Sequence, residues 1–319
     1  MMLPSIATAL VLAVAWYTAT NLLLSVAASL AAARVSDDVS ASARRARGLL
    51  ALRLMPAAGA VVVSALIFLP AHLWLEPENA SERLGIVPLM WAAVGVLLVV
   101  RSAWRVAQVV RASARLARVP FLEAADSAGA GWVEMPLLDG IVLAGVIRPR
   151  VLVGAAARRV LSSAELDVAI AHEIAHRRAG DNLARALMQC VPDLFAMMPA
   201  GARVKRLWEA EAECLADARA AAGEPLRSAS LASALVKVAR LAGRAGEPAC
   251  QPAWSTFHQA RLLETRVRLL VADRALPADS SRALVWLGLI VVAAIGGAWT
   301  TGVPHALHGI TEMVMLGLR

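Results

Sequence analysis

Two histidines four residues apart, with a glutamate directly after the first, form an H-E-x-x-H motif at His172-Glu173-Ile174-Ala175-His176. On a helix both imidazoles project from one face and can meet on one ion, the geometry that zinc requires. Glu173 beside the first of them can take the proton of an activated water as it attacks a peptide carbonyl, and so is expected to be a general base rather than a ligand. As an accident of an exposed helix surface, such a pattern turns up in roughly one chain of this size in a hundred. A catalytic zinc usually has three protein ligands and one open position. The third is sought on a second acidic helix, Arg203 to Ala222, which offers Glu209, Glu211 and Glu213. At 3.6 residues per turn Glu211 points roughly 200° away from the other two, whereas Glu209, Glu213 and Asp217 share one stripe. Glu211 is therefore expected to behave as a bystander. Glu213 has Asp217 one turn further along, where it could accept a hydrogen bond from the distal nitrogen of a ligating His and fix its tautomer; a plain surface carboxylate is the bland reading of the same residue.

The element that must position the motif is a helix opening after Ser162, where Ser162 and Glu165 form a possible capping box. Leu166, Ala169, Ile170 and Ile174 follow at helical spacing, and Gly180 reads as the stop. Before it, Trp132 to Leu137, Ile141 to Val146 and Val151 to Val153 are strand-like, punctuated by Asp139-Gly140 and Pro149, and predict a small sheet. Ile141 to Val146 could form an exposed edge to which an extended substrate adds a strand. Asp181 after Gly180 is commonly a turn former at such a place. His258 or an Arg could stabilise an oxyanion, although packing is the ordinary role of such a His. The cysteines Cys190, Cys214 and Cys250 have no C-x-x-C spacing and suggest neither a disulfide framework nor a thiolate site. Cys214 is expected to pack.

Hydrophobic residues make up 59% of the 319, more than a soluble globule carries. Uncharged runs long enough to cross a bilayer occur at Met1 to Ala33, Leu54 to Leu75, Leu84 to Val100 and Ala283 to Thr311, predicting four transmembrane helices. The first lacks a basic n-region and reads as a retained helix rather than a signal peptide. Arg34, Arg44, Arg45, Arg47 and Arg53 crowd the first connection, Glu76, Glu78 and Glu82 the second, and Arg101, Arg105, Arg111, Arg115 and Arg118 follow the third span. The positive-inside rule then places the N- and C-termini outside and the middle segment in the cytoplasm. His305 and His308 would lie beyond the fourth span, across the membrane from the motif. Trp16, Trp74, Trp104 and Trp299 lie near the ends of these runs, where interfacial anchoring is the usual reading and packing within a bundle nearly as common. The net charge of +8 comes almost wholly from Arg scattered beside apolar runs, and no nucleic-acid motif accompanies it, so no direct nucleic-acid partner is expected.

The stretch Gly145 to Arg185, with Arg148-Pro149-Arg150, Ser163-Ala164-Glu165-Leu166, the H-E-x-x-H and Arg177-Arg178-Ala179-Gly180-Asp181, resembles the BlaR/MecR-type integral-membrane metallopeptidases. So do Glu213-Cys214-Leu215-Ala216-Asp217 and, more weakly, Glu264-Thr265-Arg266-Val267-Arg268-Leu269-Leu270, so that the likeness runs over about Met135 to Ala272. The resemblance supports Glu213 over Glu209, because only Glu213 fits the family's Glu-x-x-Ala-Asp, and it matches Asp181 to the Asp that follows the family's motif. It implies an α+β membrane protein of the bacterial inner membrane. Residues 1–118 would hold three transmembrane helices, 119–280 a cytoplasmic, mainly helical zincin-like domain with a small sheet, and 281–319 the fourth helix and a short external tail. It further implies a zinc endopeptidase that cleaves a protein substrate, a transcriptional repressor or itself, in signal transduction. The large external sensor domain of β-lactam-sensing members has no counterpart after the fourth span, so antibiotic sensing does not carry over. Prenyl-protease-type and HtpX-type membrane peptidases share Glu-x-x-Ala-Asp but typically place two spans before the motif, and a scaffold with structural zinc would have no use for Glu173.

Overall fold

The computed structural model describes residues 3–75, 84–117, 122–125, 131–136, 138–245, 255–256, 262–272, 297 and 301–316. Among the described residues, three helical segments are long and apolar enough to cross a bilayer: Ile6–Ala32, Ala43–Leu75 and Ile86–Arg115. The first is α1 (Leu3–Ala32). The second comprises α2 (Ala43–Val61), a π-helical stretch Val62–Phe68 and α3 (Leu69–Leu75), and the third lies in α4 (Ile86–Ala117). The close crossing of α1 and α4 is made possible by Gly95, where a Cβ would stand 2.5 Å from Thr18 Oγ1 and 3.2 Å from the Val14 carbonyl.

The second membrane helix begins eleven residues before its uncharged run. Ser42 caps it, its hydroxyl accepting the Arg45 N–H at 3.4 Å, so the Arg-rich connection from Ala43 on is itself helical. Hydropathy registers what lipid tolerates, not what is helical. Most of the expected fourth span, 283–296 and 298–300, lies outside the described residues, as do Trp299, Cys250 and His258. Its end is α11 (Val303–Leu316), which meets the first helix where Trp16 Nε1 donates to Thr311 Oγ1 at 3.0 Å. Trp16 thus packs within the bundle, against Phe68; Trp74 and Trp104 are 82% and 54% exposed near the ends of their apolar runs.

The sheet has the order β1-β2-β4-β3-β5, from strands Leu122–Ala125, Gly131–Met135, Ile141–Ala144, Arg150–Gly154 and Ser255–Thr256. β2 and β4 pair in parallel, the other neighbours antiparallel. β3 is therefore not the exposed edge expected from its sequence. β4 pairs along all of it and β5 pairs at Val142 and Leu143, and all four of its residues are buried. The strands β1 and β5 escaped notice because they are short and lack alternation.

One face of the sheet, with Trp132, Ile141, Leu143, Val151 and Val153, packs on α6 (Ser163–Ala179) through Val168, Ala169, Ile170 and Ile174. The same core takes in Leu231, Leu235 and Val238 of α9 (Pro225–Ala245) and Leu270 of α10 (Leu263–Val271). A short helix, α5 (Ala155–Val160), leads into α6, and α7 (Asp181–Cys190) and α8 (Pro199–Ala221) follow it. A second core joins the helical hairpin to the membrane helices: Ala28 and Ala32 of α1 and Ala46 and Leu49 of α2 share it with Met188 of α7 and Val204, Trp208 and Leu215 of α8.

Each of the three membrane helices found among the described residues also grips the end of α7 or the turn after it with a polar group. Tyr17 donates to the Pro192 carbonyl, Asn21 Oδ1 accepts the Leu194 N–H at 2.9 Å, and Ser102 donates to the Cys190 carbonyl. Arg53, 2% exposed, reaches Asp193 Oδ2 at 2.6 Å and the Met188 carbonyl at 2.7 Å. Unpaired backbone groups in such a setting are costly, and these side chains satisfy them.

Candidate metal centre

Helix α6 forms as its sequence indicates. Ser162 and Glu165 make both bonds of the capping box, at 3.3 and 2.8 Å, and Gly180 closes the helix at φ 73°, a left-handed conformation that glycine adopts without strain. Lys237 Nζ at 2.7 Å and Ser233 Oγ at 2.6 Å also hold Glu165. Burial would raise its carboxyl, but the Lys237 and Ser233 contacts outweigh it and bring the group down to about 2.

His172, Glu173 and His176 on α6 and Glu213 on α8 have no solvent exposure. The Nε2 atoms of the two histidines face each other at 3.1 Å, and the Glu213 oxygens stand 3.4 Å from His176 Nε2 and 3.5 Å from His172 Nε2. A tetrahedral zinc with bonds of 2.0–2.1 Å needs its ligand atoms about 3.4 Å apart. The two Glu213 contacts come from different oxygens, Oε1 toward His176 and Oε2 toward His172, and one ligand atom from each of His172, His176 and Glu213 lies within 4.8 Å of the others, a group able to hold a metal ion. Glu209 is not part of it: its carboxylate pairs with Lys205 at 3.3 Å, one turn back on α8.

The outer nitrogens of the rings are held by carboxylates. Asp181 Oδ2 lies 2.6 Å from His176 Nδ1, and Asp217 Oδ1 lies 2.9 Å from His172 Nδ1. These contacts turn both Nε2 atoms toward Glu213 and make the rings better donors. Asp181, which from sequence could have been only a turn former, makes this contact because the left-handed Gly180 reverses the chain just after His176.

Arg185 and Arg266 complete the site. Arg185 Nη2 donates to Glu213 Oε1 at 3.0 Å. Arg266 grips Asp217 with two bonds of 2.6 and 2.7 Å, and its Nη1 stands 3.3 Å from Glu213 Oε2. Neither arginine was identified from its position: they lie 28 and 53 residues from Glu213 in sequence, on α7 and α10, and only their place in the family-like segments marked them. Asn182, also overlooked, is buried and ties α7 to the sheet by donating to the Leu143 and Gly145 carbonyls at 2.9 and 2.7 Å.

The electrostatics favour a cation between the rings. Burial works against charge on Glu213, yet His176, His172 and Arg266 keep its carboxyl well below the usual range. Burial likewise disfavours charge on His176, but Glu213 and Asp181 outweigh it and raise the ring to about 9. Both shifts report surroundings that stabilise positive charge at this point. Glu173 is the exception: burial pushes it up to about 7 against the opposing influence of the two histidines. Neither of its oxygens has a hydrogen-bond partner among the described residues. A fully buried carboxyl without a protein partner is costly. Cys214 is buried and its thiol is pushed up to about 12 by burial and then by Asp217, which fits packing rather than chemistry. His305 is exposed on α11 and stands outside the cluster.

The family model described as BlaR1 peptidase M56 matches residues 7–270. No curated protein and no solved structure matches the chain.

Proposed function

The chain belongs to the BlaR1 peptidase M56 family, and on that premise we propose that it is a membrane zinc endopeptidase with Glu173 as its general base. Family and membrane helices together make it a membrane metallopeptidase acting on a protein substrate. The observation that carries the finer reading is the convergence of His172, His176 and the Glu213 carboxylate on one point beside the buried carboxyl of Glu173.

A zinc ion held by His172, His176 and Glu213 would supply the Lewis acidity that makes water a nucleophile at neutral pH and polarises a peptide carbonyl. Glu173, buried directly beside His172, would accept a proton from such a water and deliver it to the departing amine. Asp181 and Asp217 orient the ligating rings, while Arg185 and Arg266 hold Glu213 ionised and aimed. A scaffold with structural zinc would gain nothing from burying Glu173 without a partner.

Three membrane helices precede the site, as in the BlaR/MecR type and unlike the two expected of the HtpX type. In this reading residues 119–280 are the cytoplasmic peptidase domain, the termini are external, and the substrate is a cytoplasmic protein such as a transcriptional repressor, or the chain itself. Metal content tests the centre directly. The purified chain should hold about one zinc per molecule, and a strong chelator should abolish proteolysis. Full activity in zinc-free protein would exclude this mechanism.

A further inference from the structure

Glu211 lies two residues before Glu213 on α8 and faces the other way, yet it is fully buried. Its oxygens accept the backbone N–H groups of Ser40 and Ser42, each at 3.0 Å, and Arg45 Nε stands 3.1 Å from Oε1. Those residues are the connection between the first two membrane helices and the opening turn of the second. Ala41 between them has φ 52°, a left-handed conformation unfavourable for a residue with a Cβ. It brings the two N–H groups to bear on one carboxylate, the arrangement of an anion-binding nest. The charge also suits the positive end of α2.

Two turns earlier on α8, Arg203 makes the complementary contact. Its guanidinium donates to the Ala32 and Val35 carbonyls at 2.6 and 2.7 Å and to Asp37 at 2.6 Å, so a cation meets the negative end of α1. Helix α8 is thereby fastened to the outgoing end of one membrane helix and the incoming end of the next, each by the charge that suits that end.

We propose that Glu211 is a positioning residue for the metal centre: through it, the junction of the first two membrane helices sets where α8 presents Glu213. The proposal rests on Glu213 being a metal ligand. A displacement of the hairpin moves the Glu211 anchor, and a helix cannot shift that anchor by an ångström without carrying a side chain two residues further along. The ligand edges of 3.1 to 3.5 Å leave little room for such a shift.

The test uses the full chain in detergent micelles, with zinc affinity measured by competition against a chromophoric chelator. Wild type is compared with Glu211→Gln, Arg45→Met and Glu213→Gln, and the unfolding midpoint of each is recorded with and without zinc. Glu211→Gln is expected to weaken zinc binding by roughly ten- to a hundredfold, as loss of a supporting contact to a ligand does, and Arg45→Met in the same direction by less. The zinc-induced rise in midpoint should shrink in both; a purely structural role would lower the zinc-free and zinc-loaded midpoints equally and leave the rise intact. Should Glu211→Gln fail to fold, Arg45→Met decides alone, since it leaves both backbone contacts in place. Wild-type zinc affinity in Glu211→Gln and Arg45→Met, with binding lost in Glu213→Gln, overturns the proposal. Undiminished binding by Glu213→Gln would overturn the ligand assignment beneath it.

Discussion

Each candidate ligand is a short-range donor whose aim is fixed by a residue the motif does not contain. His176 is turned by Asp181 and His172 by Asp217, and Glu213 lies between Arg185 and Arg266. Replacing either aspartate by Asn removes a charge that raises ring basicity while keeping the size of the side chain. Asp181→Asn and Asp217→Asn should each keep the zinc site but weaken its affinity roughly ten- to a hundredfold. Asp217→Asn should do the greater damage, because Arg266 then loses its double carboxylate contact in a buried site. Zinc titrations that give wild-type affinity for both would leave the two aspartates as ordinary buried carboxylates. At this scale the motif was legible because four-residue spacing on a helix has one geometric outcome. Glu213 was legible by the same logic, as helical phase sets it apart from Glu211. Phase could say only that Glu211 points away from the metal; that this face of α8 is buried against the connection between the first two membrane helices could not be read from it. Arg266 was illegible as a site residue because nothing local to α10 says which distant carboxylates it will meet.

Helix α6 positions both histidines and Glu173, so its start should be a sensitive point. Glu165 closes the capping box and bridges to Lys237 and Ser233. Glu165→Ala should lower stability by about 1–2 kcal/mol through loss of the cap and the charged hydrogen bond. Because the folded-state carboxyl is held at about 2, below its ordinary value of 4.5, its contribution is present above pH 4.5 and fades as pH falls toward 2. Denaturant titrations of wild type and Glu165→Ala should therefore differ at neutral pH and draw together under acid; a gap that stays constant down to pH 2 would show that the contact is not ionic. The capping box and Gly180 were readable in sequence because each is a local rule. The sheet was readable only in part, since β1 and β5 have four and two residues and their pairing is decided by long-range closure.

Across the whole molecule, the arginines of the first connection carry two kinds of information. Read as topology they predict that reporters fused near Ala41 and Ala157 are cytoplasmic and those near Asn79 and the C-terminus external. A cytoplasmic C-terminus would remove one membrane crossing from the account. Read in three dimensions, Arg45 and Arg53 are ion-pair partners of Glu211 and Asp193, so the connection is also the joint between membrane helices and peptidase core. Composition could show that these charges lie beside apolar spans, but not that their partners sit some 140 to 170 residues away. The central claim is narrower than the topology: one carboxyl, Glu173, moves the proton in a site whose metal is held by other residues. Its most direct measurement compares the new N-terminal peptides in membranes carrying wild type or Glu173→Gln, with zinc quantified in the same purified chains. The account predicts about one zinc per chain in both and disappearance of the wild-type cleavage products in the variant. Cleavage at the wild-type level by zinc-loaded Glu173→Gln would contradict it.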